Sequence, residues 1–129
     1  MSPDQPQPVF AVISDLLFRS KIDDAARRAG VPLRIAKSIE QLDRHLGNAM
    51  PAVVLIDLEM EGLDTPAMLG RLRATPVGAN VPVIGFAGHT NVAVIHAARA
   101  GGVQVMARSA FVAQLPAMME RIAAHARGE

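Results

Sequence analysis

The chain has 129 residues, half of them hydrophobic, which suits a single globular domain with a core of ordinary size. Its formal net charge is +1 and only 3% of its residues are aromatic, so we expect neither a nucleic-acid partner nor attraction to an anionic membrane. Cysteine is absent, which excludes disulfides, thiolate catalysis and cysteine-bound metals. No apolar run has the length of a membrane span, and we expect a cytoplasmic protein.

The first residues differ in composition from the rest of the chain. Residues 1–8 are polar and rich in proline, without the basic start and apolar stretch of a signal peptide. We predict a disordered leader over residues 1–8 and one domain over residues 9–129.

From residue 9 onward, apolar runs that predict strands alternate with amphipathic segments that predict helices. The predicted strands cover residues 9–13, 33–36, 52–56, 81–86 and 103–107. The predicted helices cover residues 16–29, 38–48, a segment that begins at 64–66, 92–100 and 109–126. In the last helix, Pro116 is expected to mark the start of the regular part, because proline disrupts a helix interior.

Five strands alternating with five helices predict an α/β protein with the flavodoxin-like (βα)5 fold. Right-handed crossovers and short loops favour a doubly wound parallel sheet in the order 2-1-3-4-5, with helices on both faces. In that order the third strand is central and lies beside the first strand.

The central strand ends on a carboxylate, Asp57, after the apolar and largely β-branched run 52–56. Open α/β sheets bind their ligands beyond the carboxyl ends of their strands. Since Asp15 follows the first strand, we expect both carboxylates at the topological switch point of the sheet. Asp57 has the alternative of capping a loop, and Asp15 that of capping the first helix.

Two segments carry a resemblance to a known family. Residues 55–62 read Leu-Ile-Asp-Leu-Glu-Met-Glu-Gly, and residues 81–84 read Val-Pro-Val-Ile. They resemble the acceptor motif and the fourth strand of the receiver domain of two-component response regulators. The resemblance covers nearly the whole chain after the leader, and the length is close to that of the single-domain chemotaxis type.

The resemblance implies a set of site residues. Asp57 would be the phosphoacceptor, and Arg108 would stand in place of the family's lysine, which falls on Ser109 if the register slips by one. Asp15, Asp57 and the main-chain carbonyl of Glu59 would form a weak Mg²⁺ site. Phosphoryl transfer needs such groups because it depends mainly on positioning and charge neutralisation.

Several positions depart from the receiver pattern. Ser14 replaces the first acid of the metal-binding pair, and Glu61 replaces the usual proline of the acceptor motif. Ala87 stands where receivers carry a Thr or Ser that hydrogen-bonds the phosphoryl group. Val105-Met106 occupies the region of the family's switch aromatic. The predicted site is therefore degenerate.

We expect a stand-alone receiver-like protein in phosphorelay signal transduction, in which a sensor histidine kinase or another signalling protein phosphorylates Asp57. Such a protein is not an enzyme apart from self-dephosphorylation. The departures leave the alternative of a pseudo-receiver, an interaction module that signals without phosphorylation. A small flavodoxin-like enzyme or nucleotide binder has only the fold in its favour, since no phosphate loop is present.

Two further features have more than one interpretation. His89, in the loop after the fourth strand, is either an exposed histidine or a contact to a metal or phosphoryl group. Apolar residues of the last two helices either fill the core or contribute to the face that mediates dimerisation or partner binding in receivers. These residues are Val94, Ile95, Met118, Met119 and Ile122.

Overall fold

The structure of the protein is a computed structural model that describes residues 7–76, 78–88 and 90–129. Within these ranges the strands are β1 (Val9–Val12), β2 (Leu33–Ala36), β3 (Val53–Asp57), β4 (Val83–Ala87) and β5 (Gln104–Ala107). The α-helices are α1 (Leu16–Ala29), α2 (Ile39–Asn48), α3 (Thr65–Arg73), α4 (Val92–Ala100) and α5 (Arg108–Ala126). A short 3₁₀-helix (Gly78–Asn80) precedes β4.

The strands form one parallel sheet in the order β2-β1-β3-β4-β5, which confirms the predicted flavodoxin-like topology. Strands β1 and β3 are buried along their whole length, whereas β2 and β5 at the edges are partly exposed. Since β3 is central and β1 is its neighbour, the ends of these two strands lie side by side, as predicted.

Each face of the sheet is covered by its own hydrophobic cluster. Against α2, α3 and α4 the cluster is mostly aliphatic, with Leu42 and Leu72 fully buried. Against α1 and α5 it contains a stack of phenylalanine rings, in which Phe86 of β4 lies between Phe18 and Phe111, with ring centroids 5.0 and 4.3 Å away. This stack fixes α1 and α5 against the centre of the sheet.

The apolar residues of α4 and α5 named above lie in the core or pack against it. Met118 and Met119 belong to the core between α5 and the sheet. Val94, Ile95 and Ile122 are partly buried and pack against the two core clusters. Met118 and Met119 are therefore core residues.

Three helices begin at side-chain caps, as the sequence pattern indicates. Asp15 Oδ1 accepts the N–H groups of Leu17 and Phe18, at 2.9 and 3.1 Å. Ser38 caps α2 and Asp64 caps α3 in the same manner. The N-cap interpretation of Asp15 is confirmed.

The expected start of the regular part of the last helix at Pro116 was wrong. Helix α5 begins at Arg108, and Pro116 lies inside it. Proline removes the backbone donor to the carbonyl four residues earlier, but Pro116 is exposed and the helix continues through it. Phe111 and Leu115 on the buried side hold the first turns against the sheet.

At the amino terminus, Pro8 is buried and its carbonyl accepts the N–H of Ala52 at 2.9 Å. Apart from Gln7 and Pro8, the predicted leader lies outside the described residues. No helix in the described ranges is both long and apolar enough to cross a membrane.

Candidate functional site

Asp57 lies at the carboxyl end of the central strand and is 5% exposed. Among the described residues, no other polar or charged side chain is buried. Its Oδ1 accepts the N–H of Glu59 at 2.9 Å, which fixes the turn that follows β3. A carboxylate removed from water in this way needs a nearby positive charge.

Arg108, the first residue of α5, brings that charge to the site. Its Nη2 atom is 3.7 Å from Asp57 Oδ1, and its guanidinium carbon is 5.4 Å from the centre of the Phe18 ring. The Arg108 side chain is 37% exposed, so it lies at the edge of the site. Arg108, the residue expected in place of the family's lysine, therefore lies beside Asp57 and packs over the Phe18 ring.

The shorter contacts of Arg108 are with another carboxylate, that of Glu59. Arg108 Nε and Nη2 both donate to Glu59 Oε1, at 3.2 and 2.9 Å. The same oxygen accepts the backbone N–H of Gly88 at 2.7 Å, and Oε2 accepts the Asn91 side-chain amide at 3.1 Å. We call Gly88, Asn91 and Arg108 the donor cluster.

The two carboxylates have opposite electrostatic environments. Burial raises the pKa of Asp57 above its ordinary value of 3.8, and the Glu59 N–H and the Arg108 charge only partly oppose this rise. The hydrogen bond from Gly88, followed by those from Asn91 and Arg108, lowers the pKa of Glu59 below its ordinary value of 4.5. The better-stabilised anion of the site is therefore Glu59.

The β1 side of the site contains fewer polar groups. Asp15 is exposed, and its charge adds to the rise in the pKa of Asp57. Ser14 beside it is exposed and uncharged. Among the described residues, no group of three or more His, Asp or Glu side chains is arranged to hold a metal.

The donor set still has the chemistry of a weak Mg²⁺ site. Asp15 and Asp57 supply carboxylate oxygens and Glu59 supplies a main-chain carbonyl, all of them hard ligands. Mg²⁺ is commonly held by one or two carboxylates and keeps several waters. One oxygen of each carboxylate already accepts backbone N–H groups, which leaves the second oxygen of each for a cation.

On the β4 side, Ala87 ends the strand and is 1% exposed. Its methyl group cannot hydrogen-bond an oxyanion, and the next residue, Gly88, directs its N–H at Glu59. In β5, Val105 and Met106 are partly buried and carry no aromatic ring. The hypotheses about His89 lie outside the described residues.

The sequence identified Asp57, Asp15 and Arg108 but gave Glu59 a role only through its main-chain carbonyl. The side chain of Glu59 joins the loop after β3 to the loop after β4 and to α5. Its partners lie 29, 32 and 49 residues further along the chain. The sequence signal that could have identified it is the position of Glu59, an acid two residues after Asp57, at the strand end where Arg108 was also expected.

The sequence matches no protein-family model and no curated protein. Solved structures do match it. The receiver domain of a sensor histidine kinase from Pseudomonas aeruginosa, solved with magnesium in its active-site cleft, is 18% identical with a TM-score of 0.75 and covers 92% of this chain and 98% of that one. The chain has the receiver fold.

Two other solved receivers agree. The chemotaxis response regulator CheY4 of Vibrio cholerae is 15% identical with a TM-score of 0.75, over 92% of this chain and 99% of that one. The beryllofluoride-activated receiver domain of nitrogen regulatory protein C is 23% identical with a TM-score of 0.71, over 94% of this chain and 97% of that one. The predicted fold family is confirmed, and at these identities the likeness concerns the fold.

Proposed function

We propose that the protein is a receiver-type signalling protein of a phosphorelay, with Asp57 as the phosphoacceptor. The observation that carries this proposal is the position of Asp57, a buried carboxylate at the end of the central strand of a receiver fold, 3.7 Å from a guanidinium. Receiver neighbours that come from a histidine kinase and from a chemotaxis regulator support a signalling role. A cytoplasmic location is part of the proposal.

In the proposed reaction an oxygen of Asp57 attacks the phosphorus atom of a phosphohistidine on the kinase. The bond from phosphorus to the imidazole nitrogen breaks, and an acyl phosphate forms on Asp57. Arg108 neutralises part of the negative charge that this transfer brings to the buried position. We expect no turnover of a diffusible substrate, apart from hydrolysis of the acyl phosphate.

Mg²⁺ is the cation that this proposal requires. Asp15, Asp57 and the Glu59 carbonyl would hold it, and it would draw the oxygens of the incoming phosphoryl group towards Asp57. The magnesium found in the Pseudomonas aeruginosa receiver supports this assignment. Because Ser14 contributes no charge, we expect the affinity for Mg²⁺ to be low.

The test is incubation with a small phosphodonor and Mg²⁺, followed by intact-mass measurement. We expect the wild type to gain the mass of one phosphoryl group and Asp57→Asn to gain none. Omission of Mg²⁺ should reduce the gain in the wild type. If the wild type gains no mass with donor and Mg²⁺ in excess, Asp57 is not a phosphoacceptor.

A second candidate function is favoured by a different observation. The Arg108 fork is directed at Glu59 rather than at Asp57, and Ala87 supplies no hydroxyl. An interaction module that signals without phosphorylation needs neither group. It predicts a partner affinity that is unchanged by the phosphodonor and by Asp57→Ala, and a phosphorylation-dependent affinity would rule it out.

The proposed contact face for a partner or a second copy is formed by α4, β5 and α5. Val92 is 61% exposed, and β5 is partly exposed along its length. Sedimentation of the purified protein over a range of concentrations tests self-association. A monomer at every concentration would leave a different protein as the partner of this face.

A further inference from the structure

The carboxylate of Glu59 accepts hydrogen bonds from three residues that belong to two separate segments of the chain. It accepts from Gly88 in the loop after β4, from Asn91 at the start of α4 and from Arg108 at the start of α5. The Glu59 side chain is 26% exposed, so it lies at the rim of the site rather than in the core. Other acidic side chains, such as Asp23 and Asp24, pair with arginines of their own helix.

The donor cluster has the composition of an oxyanion site. A backbone N–H, a side-chain amide and a two-pronged guanidinium are the groups that bind carboxylate and phosphate oxygens. The cluster also lies beside Asp57, because the Arg108 Nη2 atom is 2.9 Å from Glu59 Oε1 and 3.7 Å from Asp57 Oδ1. A phosphoryl group attached to Asp57 would require counter-charge and N–H donors from the same direction.

We propose that the Glu59 carboxylate is a built-in anion that fills an oxyanion site formed by Gly88, Asn91 and Arg108. A phosphoryl-type oxyanion at Asp57 gains these donors only when Glu59 leaves them. The unmodified protein therefore holds the loop after β4, the start of α4 and the start of α5 together without an external anion. This inference concerns the site of the proposed function but does not require Asp57 to be modified.

Competition explains why the built-in anion has an effect. A side chain tethered next to its donors acts at an effective concentration on the order of millimolar or above. A free anion in the same range of concentration cannot displace it easily, because it gives up hydration and translational freedom that Glu59 has already lost. The lowered pKa of Glu59 agrees with this, since its charged form is the one the donors stabilise.

The matched test uses two acidic residues of the same loop. Glu59→Ala opens the donor cluster, whereas Glu61→Ala removes the same charge from an exposed position two residues away. Glu59→Gln keeps the shape of the side chain and loses the charge, which provides a second variant in case Glu59→Ala folds poorly.

Inorganic phosphate is the probe, and the reporters are the Gly88 backbone amide and the Arg108 Nε–H in a proton–nitrogen NMR titration. We expect Glu59→Ala to bind phosphate at least about tenfold more tightly than the wild type, with both reporters shifting together. The phosphate affinity of Glu59→Gln should lie between those of the wild type and Glu59→Ala, and that of Glu61→Ala should equal that of the wild type. Equal phosphate affinity in the wild type and Glu59→Ala would overturn the inference.

The phosphodonor experiment on the same variants separates this inference from the proposed function. If Glu59→Ala binds phosphate more tightly while no variant gains phosphoryl mass, the built-in anion stands and the phosphoacceptor proposal fails. If the wild type and Glu59→Ala gain mass at the same rate and bind phosphate equally, Asp57 is a phosphoacceptor and Glu59 is not a competing anion. If both hold, Glu59→Ala should gain mass faster than the wild type.

Discussion

Asp57 separates two unlike halves of the strand-end surface. On the β1 side lie Ser14 and Asp15, which are exposed and of which only Asp15 carries charge. On the other side, Glu59 and the donor cluster form a network of four hydrogen bonds. The β1 side has little of the negative charge that a cation requires, while the side with the donor cluster is rich in the hydrogen-bond donors that an anion requires.

This contrast indicates where the chain departs from a complete receiver site. Phosphoryl transfer needs a cation on one side of the acceptor and donors on the other. Compared with the receiver pattern, Ser14 replaces an acid on the β1 side, and the donor cluster is occupied by the chain's own carboxylate, Glu59. The β1 side can be altered without changing the donor cluster, because Ser14 and Asp15 belong to a different segment from Gly88, Asn91 and Arg108.

The largest effect is expected from Arg108→Ala, which removes the centre of the donor side. The Glu59 and Asp57 carboxylates lose a charged hydrogen-bonding partner and Phe18 loses its cation. We expect the free energy of unfolding to fall by about 2 kcal/mol in chemical denaturation. Arg108→Lys keeps the charge but not the fork and should recover only part of the loss, whereas Arg99→Ala at the exposed end of α4 should have little effect. An Arg108→Ala protein as stable as the wild type would show that the network contributes nothing to stability.

Ser14→Asp restores the missing charge on the cation side. Because a second carboxylate beside Asp15 attracts a divalent cation, we expect Mg²⁺ affinity to rise on the order of tenfold in calorimetric titration. Ser20→Asp, which adds the same charge on the exposed surface of α1, is the control. Equal effects of the two substitutions would mean that general surface charge, rather than a site at Asp15 and Asp57, attracts the cation.

Substitutions at Asp15 separate its helix-capping role from cation binding. Asp15→Ala removes the acceptor for the N–H groups of Leu17 and Phe18 and should cost about 1 kcal/mol of stability. Asp15→Ser keeps a capping oxygen without the charge, so it should restore most of the stability while weakening Mg²⁺ binding as much as Asp15→Ala does. A Ser variant that binds Mg²⁺ like the wild type would limit Asp15 to capping.

The smallest effects are expected from neutralising the two carboxylates, and they should have opposite signs. The folded-state pKa of Asp57 is raised, so ionisation of this carboxyl group lowers the stability of the fold. The loss is complete above the folded-state pKa and absent below the ordinary value of 3.8. Asp57→Asn should therefore raise the melting temperature by a few degrees at neutral pH, and this gain should disappear on acidification below 3.8.

Glu59 behaves in the reverse way. Its folded-state pKa is lowered, so its contribution is fully present above its ordinary value of 4.5 and is lost as the pH falls through the folded-state pKa. Glu59→Gln should lower the melting temperature at neutral pH and have no effect at the acid end. Arg108 is the neighbouring charge that acts on the pKa of both groups, and Glu59 and Asp15 also act on that of Asp57. Thermal unfolding of both variants over the acid range tests the pair, and shifts of the same sign would contradict the assigned environments.

Most of the fold followed from local patterns. The apolar, largely β-branched run before Asp57 predicted a buried strand because such runs are typical of strands buried on both faces of a parallel sheet. Helix α1 was predicted with its observed bounds, since Asp15 and Gly30 are local start and stop signals. The expectation at Pro116 was wrong because Phe111 and Leu115, earlier in the same helix, are buried against the sheet, and a local pattern does not show that tertiary packing.

By itself, the sequence determined the order of the elements, because each element depends on residues a few positions apart. The strand order and the placement of Asp15 and Asp57 at one edge then followed from the rules for right-handed crossovers with short loops. The tertiary structure decided which carboxylate takes the donors. Glu59 and Arg108 are 49 residues apart, and only the packing of α5 against β4 through Phe86 and Phe111 brings them together. A choice between Asp57 and Glu59 as the partner of Arg108 depends on angstrom differences that no local pattern encodes.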